Sequence, residues 1–329
     1  MMPSVTASRE QKNSAYLCAD MRLQDLSESL SFPLYFQIET TSACNARCRM
    51  CPRSTTTHER ENKFMSSAIR KKLLAEFREH AARIRRVSPF GYGEPLLDKA
   101  LPAFIAQLKK IGIAEVFIST NASLLDEETA KRLLDSGLDQ IDFSVDAFSA
   151  ELYENVRKGL SRDTVYRNIE NFIALRNRAK AHTAIRFRYI LQGVNDHEFP
   201  MFHTYWGERL SPGDIISRKI QHTFGGIMEP LDSQDYRALM DMNAILPCKA
   251  LFSSMSILVT GEVCVCNYDF EQQFSLGDIA EKTIEELWQH KFLARRRHAH
   301  LRHGRKGFKS CMKCNSWLPE VKLPDIVIA

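Results

Sequence analysis

Eight of the nine cysteines in this 329-residue chain fall into two groups, and only Cys18 stands apart. The first group, Cys44, Cys48 and Cys51, has the spacing C-x3-C-x2-C on one tight loop. Three thiolates so placed can hold three irons of a cubane cluster and leave the fourth iron open, thiolate being the ligand that iron–sulfur clusters need. Zinc usually takes four ligands in two pairs, and the next ligating side chain, His58, lies seven residues on. Disulfides or coincidental core cysteines are the plainer alternatives. In an intracellular chain of this size, clustered cysteines are more often metal ligands or catalytic than disulfide-forming.

The second group is Cys248, Cys264, Cys266, Cys311 and Cys314. Cys248 and Cys266 flank a turn at Thr260-Gly261, and Cys311-x2-Cys314 follows downstream. Four such thiolates suit a structural zinc or a four-cysteine cubane, and ligand count alone does not separate the two. Cys264 stands two residues before Cys266, so on a strand it faces the same side. A buried free cysteine is ordinarily a small hydrophobe; near a substrate, its thiol could instead give a hydrogen atom to a carbon radical. Cys18 carries the same two readings.

The elements that must position these residues alternate between strand and helix. Leu34 to Glu39 reads as a buried strand running into the first cysteine loop. Helices are expected at Ser66–Arg85, Leu97–Ile111, Asp126–Ser136, Ser149–Val156 and Asp163–Ala179. Strands are expected at Val87–Phe90, Glu115–Ser119, Gln140–Val145, Ala184–Leu191 and Asp214–Ile220. Strands separated by helices of this length form a parallel sheet of βαβ units. The count is about six between residues 34 and 225, short of the eight that close a full barrel. The fold class is therefore α/β, a partial (β/α)6 TIM-like barrel. The first cysteine loop then lies at the C-terminal end of a strand, where barrel active sites lie.

Gly225-Gly226 and Pro230 punctuate the end of the repeat. Beyond them a β-hairpin, Ser256–Val259 and Glu262–Cys266, and a helix, Thr283–Leu293, are expected. A helix from Ser14 to Leu30 opens the chain. The expected division is a lead-in at 1–33, the partial barrel at 34–226 and a small hairpin-plus-helix domain at 227–329.

Composition agrees with a globular chain: 44% hydrophobic and 26% charged residues exclude a disordered or fibrous protein. No stretch approaches the roughly 18 apolar residues of a membrane helix, and Met1 to Gln11 lacks the apolar core of a signal peptide. A cytoplasmic protein is expected. The net charge of +5 suits an anionic substrate or cofactor and falls short of a nucleic-acid footprint. The basic run from Arg295 to Lys306 reads as a solvated helix end and loop, so no nucleic-acid partner is expected.

The first loop resembles the signature of the radical S-adenosylmethionine (SAM) superfamily, over roughly residues 34 to 225. The resemblance implies a [4Fe-4S] cluster on Cys44, Cys48 and Cys51 whose open iron binds the amino and carboxylate groups of SAM, and cleavage of SAM to a 5′-deoxyadenosyl radical. Met50 stands where many members carry an aromatic beside the adenine. Gly91-Tyr92-Gly93-Glu94-Pro95 is similar to the glycine-rich motif that receives the SAM ammonium group, which implicates Gly93 and Glu94. Ser119, Asn121, Ser144 and Asp146, at the ends of the third and fourth strands, correspond to ribose or methionyl contacts; as Ser, Asn and Asp they could equally be helix caps. Arg157 corresponds to an arginine that pairs with the SAM carboxylate, which a guanidinium can bind through two parallel hydrogen bonds. Leu191 and Gln192 correspond to positions near the adenine.

The second group resembles the SPASM auxiliary-cluster extension in its shortened twitch form. That implies one auxiliary [4Fe-4S] cluster fully ligated by Cys248, Cys266, Cys311 and Cys314. The arrangement is similar to that of dehydrogenases of the 2-deoxy-scyllo-inosamine type, which implies oxidation of a secondary alcohol of a sugar or aminocyclitol, with the auxiliary cluster as electron acceptor. A radical epimerase using the Cys264 thiol, or a ribosomal-peptide-modifying enzyme, is the alternative. Glu39, His222 and Lys219 are candidates for the substrate pocket. The implied partners are a small-molecule substrate and a flavodoxin- or ferredoxin-type electron donor.

Overall fold

The structure, a computed structural model, describes residues 7–56, 60–229 and 245–315. His58, Pro230 and most of the expected boundary region between 226 and 246 lie outside the described residues. The chain opens with α1 (Arg9–Met21) and α2 (Ser27–Ser31), enters the sheet at β1 (Tyr35–Ile38) and forms a two-residue strand, β2 (Arg47–Cys48), in the cysteine loop. There follow α3 (Ser67–His80), β3 (Arg86–Ser88), α4 (Leu101–Lys110), β4 (Glu115–Thr120), α5 (Glu127–Asp135), β5 (Gln140–Ser144) and α6 (Ala150–Val156). Next come β6 (Arg157–Lys158), α7 (Arg162–Ala179), β7 (Ala184–Leu191), α8 (Phe199–Gly207) and β8 (Ile215–Ile220). The C-terminal part holds α9 (Ala250–Ser253), β9 (Ser254–Ile257), β10 (Glu262–Cys264), β11 (Ser275–Asp278), α10 (Ile284–Trp288), α11 (Lys291–His303) and α12 (Lys309–Met312).

Strands β1, β3, β4, β5, β7 and β8 pair in that order, all parallel. These are the six strands of a partial TIM-like barrel, as the alternation in the sequence predicts. Residue parity sorts each strand between two faces. On β7, Ile185, Phe187 and Tyr189 are buried, with the Phe187 ring stacked 4.4 Å from Trp206 of α8. Arg186 and Arg188, of opposite parity, meet Asp142 of β5 at 2.5 and 2.6 Å on the concave face. On β1, Phe36 packs against Phe77 of α3 at 4.7 Å, while Gln37 accepts from Asn267 Nδ2 on the other face. Among the described residues no helix is long and apolar enough to cross a membrane.

The expected C-terminal hairpin forms, and its first strand joins the barrel sheet: β9 pairs in parallel with β1, Phe36 opposite Met255. A third strand, β11, which the sequence reading lacks, pairs with β10 across a register shift at Val263/Cys264. The other barrel edge is reached too. Thr223, after β8, donates from its hydroxyl to Lys313 O at 2.7 Å, and Asn315 Nδ2 donates to Gln221 O at 2.8 Å. The C-terminal part therefore bridges the open side of the barrel.

Four further expectations are corrected. The opening helix starts at Arg9, capped by Ser8, and ends at Arg22 in the left-handed conformation (φ 53°), so Ser14–Leu30 is not one helix. These residues are no free lead-in: Asn13 Nδ2 donates to Leu301 O, and Trp288 Nε1 to Ser29 O, both at 2.8 Å. The helix expected at Thr283–Leu293 breaks at Gln289-His290, where the His290 side chain accepts the amide of Phe292 and starts α11. The run 295–306 is solvated only in part: Arg295, His298, Arg302, His303 and Lys306 are exposed, whereas Arg296, Arg297, His300 and Arg305 are buried. Between β7 and β8, where the sequence reading names no element, lies α8.

Candidate functional site

The first cysteine loop leaves β1 at the C-terminal edge of the sheet and is held from two sides. From one, residues 60–65 wrap it: Ser42 N donates to Lys63 O at 3.0 Å, Thr41 Oγ1 to Lys63 O at 2.8 Å, and Arg53 Nη1 crosses to Ser42 O at 2.7 Å. From the other, β2 pairs antiparallel with β6, setting Cys48 opposite Arg157, and Arg49 N donates to Val156 O at 2.8 Å. The chain after α6 thus clips the loop directly. Burial pushes the thiols of Cys44 and Cys48 up, and that of Cys51 up to about 12; neighbouring thiols add to the rise at Cys44 and Cys51, and Asp146 and Glu94 at Cys48. Arg157 Nη1 lies 3.7 Å from Cys48 Sγ. Three desolvated thiols facing one another, with one guanidinium alongside, suit metal-bound thiolates. The loop fits a cluster.

The glycine motif packs on this loop without clearance. A Cβ at Gly93 would lie 2.2 Å from Thr41 O and 2.6 Å from Ala43 O, and Glu94 N donates to Ala43 O at 2.8 Å. The buried Glu94 carboxylate accepts from Thr120 Oγ1 (2.5 Å), Asn121 N (2.8 Å) and Leu96 N (3.1 Å), so it ties the motif to the end of β4. Asn121 Nδ2 in turn donates to Asn45 Oδ1 of the cysteine loop at 3.0 Å. Ser119 and Ser144 share a hydrogen bond of 3.1 Å. Asp146 accepts from Ile190 N at 2.7 Å and pairs with Arg157. Gln192 presents a buried Oε1 without a hydrogen-bond partner, Leu191 is half-buried beside it, and Met50 is buried in the core. Ser119, Asn121, Ser144, Asp146, Arg157, Leu191 and Gln192 therefore gather at the strand ends facing the loop. Glu94 serves there as a positioning group.

Glu39, the pocket candidate beside the loop, carries a dense set of contacts. Its carboxylate takes both Nη atoms of Arg60 at 2.7 Å and the amides of Tyr92 and Val259 at 3.3 and 3.2 Å. It is fully engaged, joining β1 to the glycine motif, to the residue 60 segment and to the hairpin. Arg60 sits over the rings of Tyr92 and Phe270. Cys264 shares its face with Ser256 and Gln37 by register. It is buried, with its thiol pushed well up by burial and by Asp269 and Glu262. A cavity of about 380 Å³ bounded by Arg47, Arg53, Arg60 and Phe270 opens beside the loop.

Cys248, Cys266, Cys311 and Cys314 form a second set, Cys314 buried and the other three half-buried. Burial pushes Cys248 up to about 11, and Cys266 and Cys311 upward, with neighbouring thiols of the same set adding in each case. Four desolvated thiols so grouped fit a four-thiolate metal centre, zinc or cubane alike. Around it, Arg296 Nη1 lies 3.9 Å from Cys311 Sγ, His300 Nδ1 accepts the Cys248 amide at 3.2 Å, and burial lowers His300 to about 3. Arg305 faces Cys248, Cys314 and Cys311, and burial lowers it to about 9. The sequence carried one overlooked sign of this: Leu293, Arg296, Arg297 and His300 stand at i, i+3, i+4 and i+7, the spacing of an inward helix face.

Tyr268 spans the two regions. Its amide donates to Cys266 Sγ at 3.4 Å, and its ring stacks 4.2 Å from His222. His222 is lowered to about 4 by burial, aided by Lys219 and Arg188, and its buried Nδ1 has no hydrogen-bond partner. Tyr92 O–H donates to Asn267 O at 2.5 Å, so the glycine motif also touches this segment. Sequence reasoning missed Arg60, Arg186, Arg188 and Tyr268, whose types are common and whose roles arise from long-range contacts.

Comparison with known proteins follows this division. The family model described as an iron-sulfur cluster-binding domain (SPASM) matches residues 248–315. A probable GTP 3',8-cyclase of Methanococcus maripaludis strain C5 is 32% identical over 170 residues, 52% of this chain and 54% of that protein. A GTP 3',8-cyclase of Limosilactobacillus fermentum is 29% identical over 174 residues, 52% of this chain and 50% of that protein. The chain spans about half the length of these curated relatives. BtrN in complex with AdoMet and 2-DOIA superposes with a TM-score of 0.58 at 20% identity, covering 86% of this chain and 92% of that one. SuiB of Streptococcus suis bound to precursor peptide SuiA gives 0.65 at 16% identity, covering 97% and 78%. At these identities the two structures show a common fold. The radical SAM superfamily model matches residues 38–205, half of the chain, from the end of β1 through the cysteine loop to α8, and the chain belongs to that superfamily.

Proposed function

We propose that this radical SAM enzyme oxidises a secondary alcohol of a sugar or aminocyclitol to a ketone. The observation that carries this reading is the second cysteine set: four protein thiols in one desolvated group, linked to the barrel mouth by Tyr268, which stacks on His222 and donates to Cys266. When bound, a cluster on Cys44, Cys48 and Cys51 with SAM supplies a 5′-deoxyadenosyl radical, and a fully ligated cluster on the second set supplies a one-electron acceptor. The chain's own residues do the rest. Arg157, held beside Cys48, together with Gly93, Ser119, Asn121, Ser144, Asp146, Leu191 and Gln192, forms the SAM-facing wall. His222, neutral at pH 7, offers Nδ1 to take the hydroxyl proton, and its stacking on Tyr268 fixes the ring. The oxidation removes one hydrogen atom from carbon, one proton to His222 and one electron. Its products are ketone, 5′-deoxyadenosine and methionine. BtrN, whose complex holds AdoMet and 2-DOIA, has the same fold and supports a small-molecule substrate.

The test is anaerobic reconstitution followed by incubation with SAM, a strong reductant and a panel of aminocyclitols and sugars. The expected result is about eight irons per chain and ketone formed one-to-one with 5′-deoxyadenosine. Cys311→Ala should fall to about four irons, still cleave SAM, and lose ketone formation. Wild type holding zinc in the second set would remove the acceptor and overturn the dehydrogenase reading. A product of inverted configuration carrying solvent hydrogen, abolished in Cys264→Ala, would assign epimerisation instead. Turnover of a peptide but of no sugar or aminocyclitol would assign peptide modification.

A further inference from the structure

Arg296 is 4% exposed and lies in a cage of three phenylalanines. Its guanidinium carbon is 4.1 Å from the ring centre of Phe274, 4.3 Å from Phe308 and 5.0 Å from Phe292. A cation this desolvated needs an anion nearby. The two acidic candidates are Asp269 and the cysteine set, since Asp269, Cys266 and Cys311 are the groups whose charge favours the Arg296 cation. Asp269 already accepts the amides of Gln273 at 3.0 Å and Phe274 at 2.9 Å. The polar contact Arg296 does make is Nη1 to Cys311 Sγ at 3.9 Å, while its Nε has no hydrogen-bond partner. Arginine stays protonated in proteins, so a fixed positive charge borders the second cysteine set.

We propose that Arg296 is a positioning residue that raises the reduction potential of the cluster held by Cys248, Cys266, Cys311 and Cys314. A cubane on four thiolates is anionic, and its reduced form carries one more negative charge than its oxidised form. A nearby fixed cation stabilises the reduced form more. Hydrogen bonding to a ligand sulfur acts in the same direction, both being ways in which a protein tunes such clusters. The phenyl cage keeps water from Arg296, so screening is weak. A raised potential favours the cluster as a sink for an electron leaving the barrel. This inference rests on the second set holding a redox-active cluster and not on the identity of the substrate.

Arg297 supplies the control. It is as buried as its neighbour, but its guanidinium lies over Trp288 and donates to Leu251 O at 2.8 Å and Trp288 O at 3.0 Å, with no thiol in contact. The experiment uses the full chain carrying Cys44→Ala, Cys48→Ala and Cys51→Ala, so that only the second cluster is reconstituted, and follows its potential by EPR-monitored titration. Arg296→Met should lower the midpoint by at least about 59 mV, a tenfold change in a one-electron equilibrium. Arg296→Lys, which keeps the charge, should recover more than half of that shift, and Arg297→Met should leave the midpoint in place. A wild-type midpoint in Arg296→Met with its iron intact overturns the proposal, as does an equal shift in Arg297→Met. Loss of iron in both Arg296→Met and Arg296→Gln assigns the arginine to cluster assembly and likewise overturns it. Zinc in place of iron in the parent chain would remove the cluster reading itself, a failure visible in the metal content before any titration.

Discussion

Glu39 stands, by sequence, as an acid beside the cysteine loop, and the tertiary contacts turn it into a joint. Its pair with Arg60 is almost fully buried, with side-chain exposures of 2% and 4%. Removing one partner of such a pair leaves the other charge uncompensated, at a cost of about 3–5 kcal/mol. Glu39→Gln should therefore lower the denaturant midpoint severely, and Glu39→Gln with Arg60→Met should recover much of the loss. A joint rather than a catalytic base would show the same SAM cleavage per folded molecule in the double variant. His222 is the contrasting residue. Its folded value near 4 lies below the usual 6.5, so the unfolded chain binds the proton first. This histidine's contribution to stability is whole above pH 6.5 and is lost as pH falls toward 4. Its ring stays unprotonated over the same range. The acid limb of kcat/KM for ketone formation should lie near pH 4 to 5 rather than 6.5, and His222→Asn should abolish ketone formation while sparing SAM cleavage. An acid limb at 6.5 would exclude it.

At the scale of elements, the site is built where loops press backbone on backbone. The Gly93 approach to Thr41 O and Ala43 O leaves no room for a methyl group, and neither carbonyl can swing away as a side chain would. Gly93→Ala should displace the cysteine loop, at roughly 1–3 kcal/mol or more of overpacking. Anaerobic reconstitution should then yield about four irons in place of about eight, with the auxiliary EPR signal retained. The βαβ repeat was legible from its apolar periodicity, because each strand and helix buries one face against its neighbour. The β2–β6 ribbon was not legible: two residues a side carry no periodicity, and Cys48 and Arg157 lie 109 residues apart in the chain. Helix α11 misled for another reason. Its inward face is made of arginine and histidine, so hydrophobicity reads it as solvated while the thiols and rings around it make it buried.

Across the whole molecule, the C-terminal part is a strap over the barrel's open side. It is anchored by β9 on β1 at one edge and by Asn315 on the β8 loop at the other. Helices α1 and α2 buttress it through Asn13, Ser29 and Leu30, the last accepting Gln289 Nε2 at 2.7 Å. The N-terminal residues are thus part of the auxiliary site's support. A chain beginning at Leu30 should retain the first cluster but lose iron from the second, read as a fall from about eight toward about four irons with a lower melting temperature. Full retention of both would show that the buttress is dispensable.

What the sequence determined by itself was the repeat and the ligands. Apolar periodicity gives six βαβ units, and cysteine spacing over three and two residues gives a cluster loop, because both signals are local and lie within a turn or two of chain. Tertiary structure alone decided which polar groups remain for chemistry. Glu39 and Glu94 are acids consumed in holding loops, whereas His222, unremarkable by spacing, keeps a buried ring nitrogen unengaged. It also decided that part of a basic run faces inward and that a hairpin extends the barrel's own sheet. The reason is physical: burial and pairing of a polar group depend on residues a hundred or more positions away, and no local pattern records them.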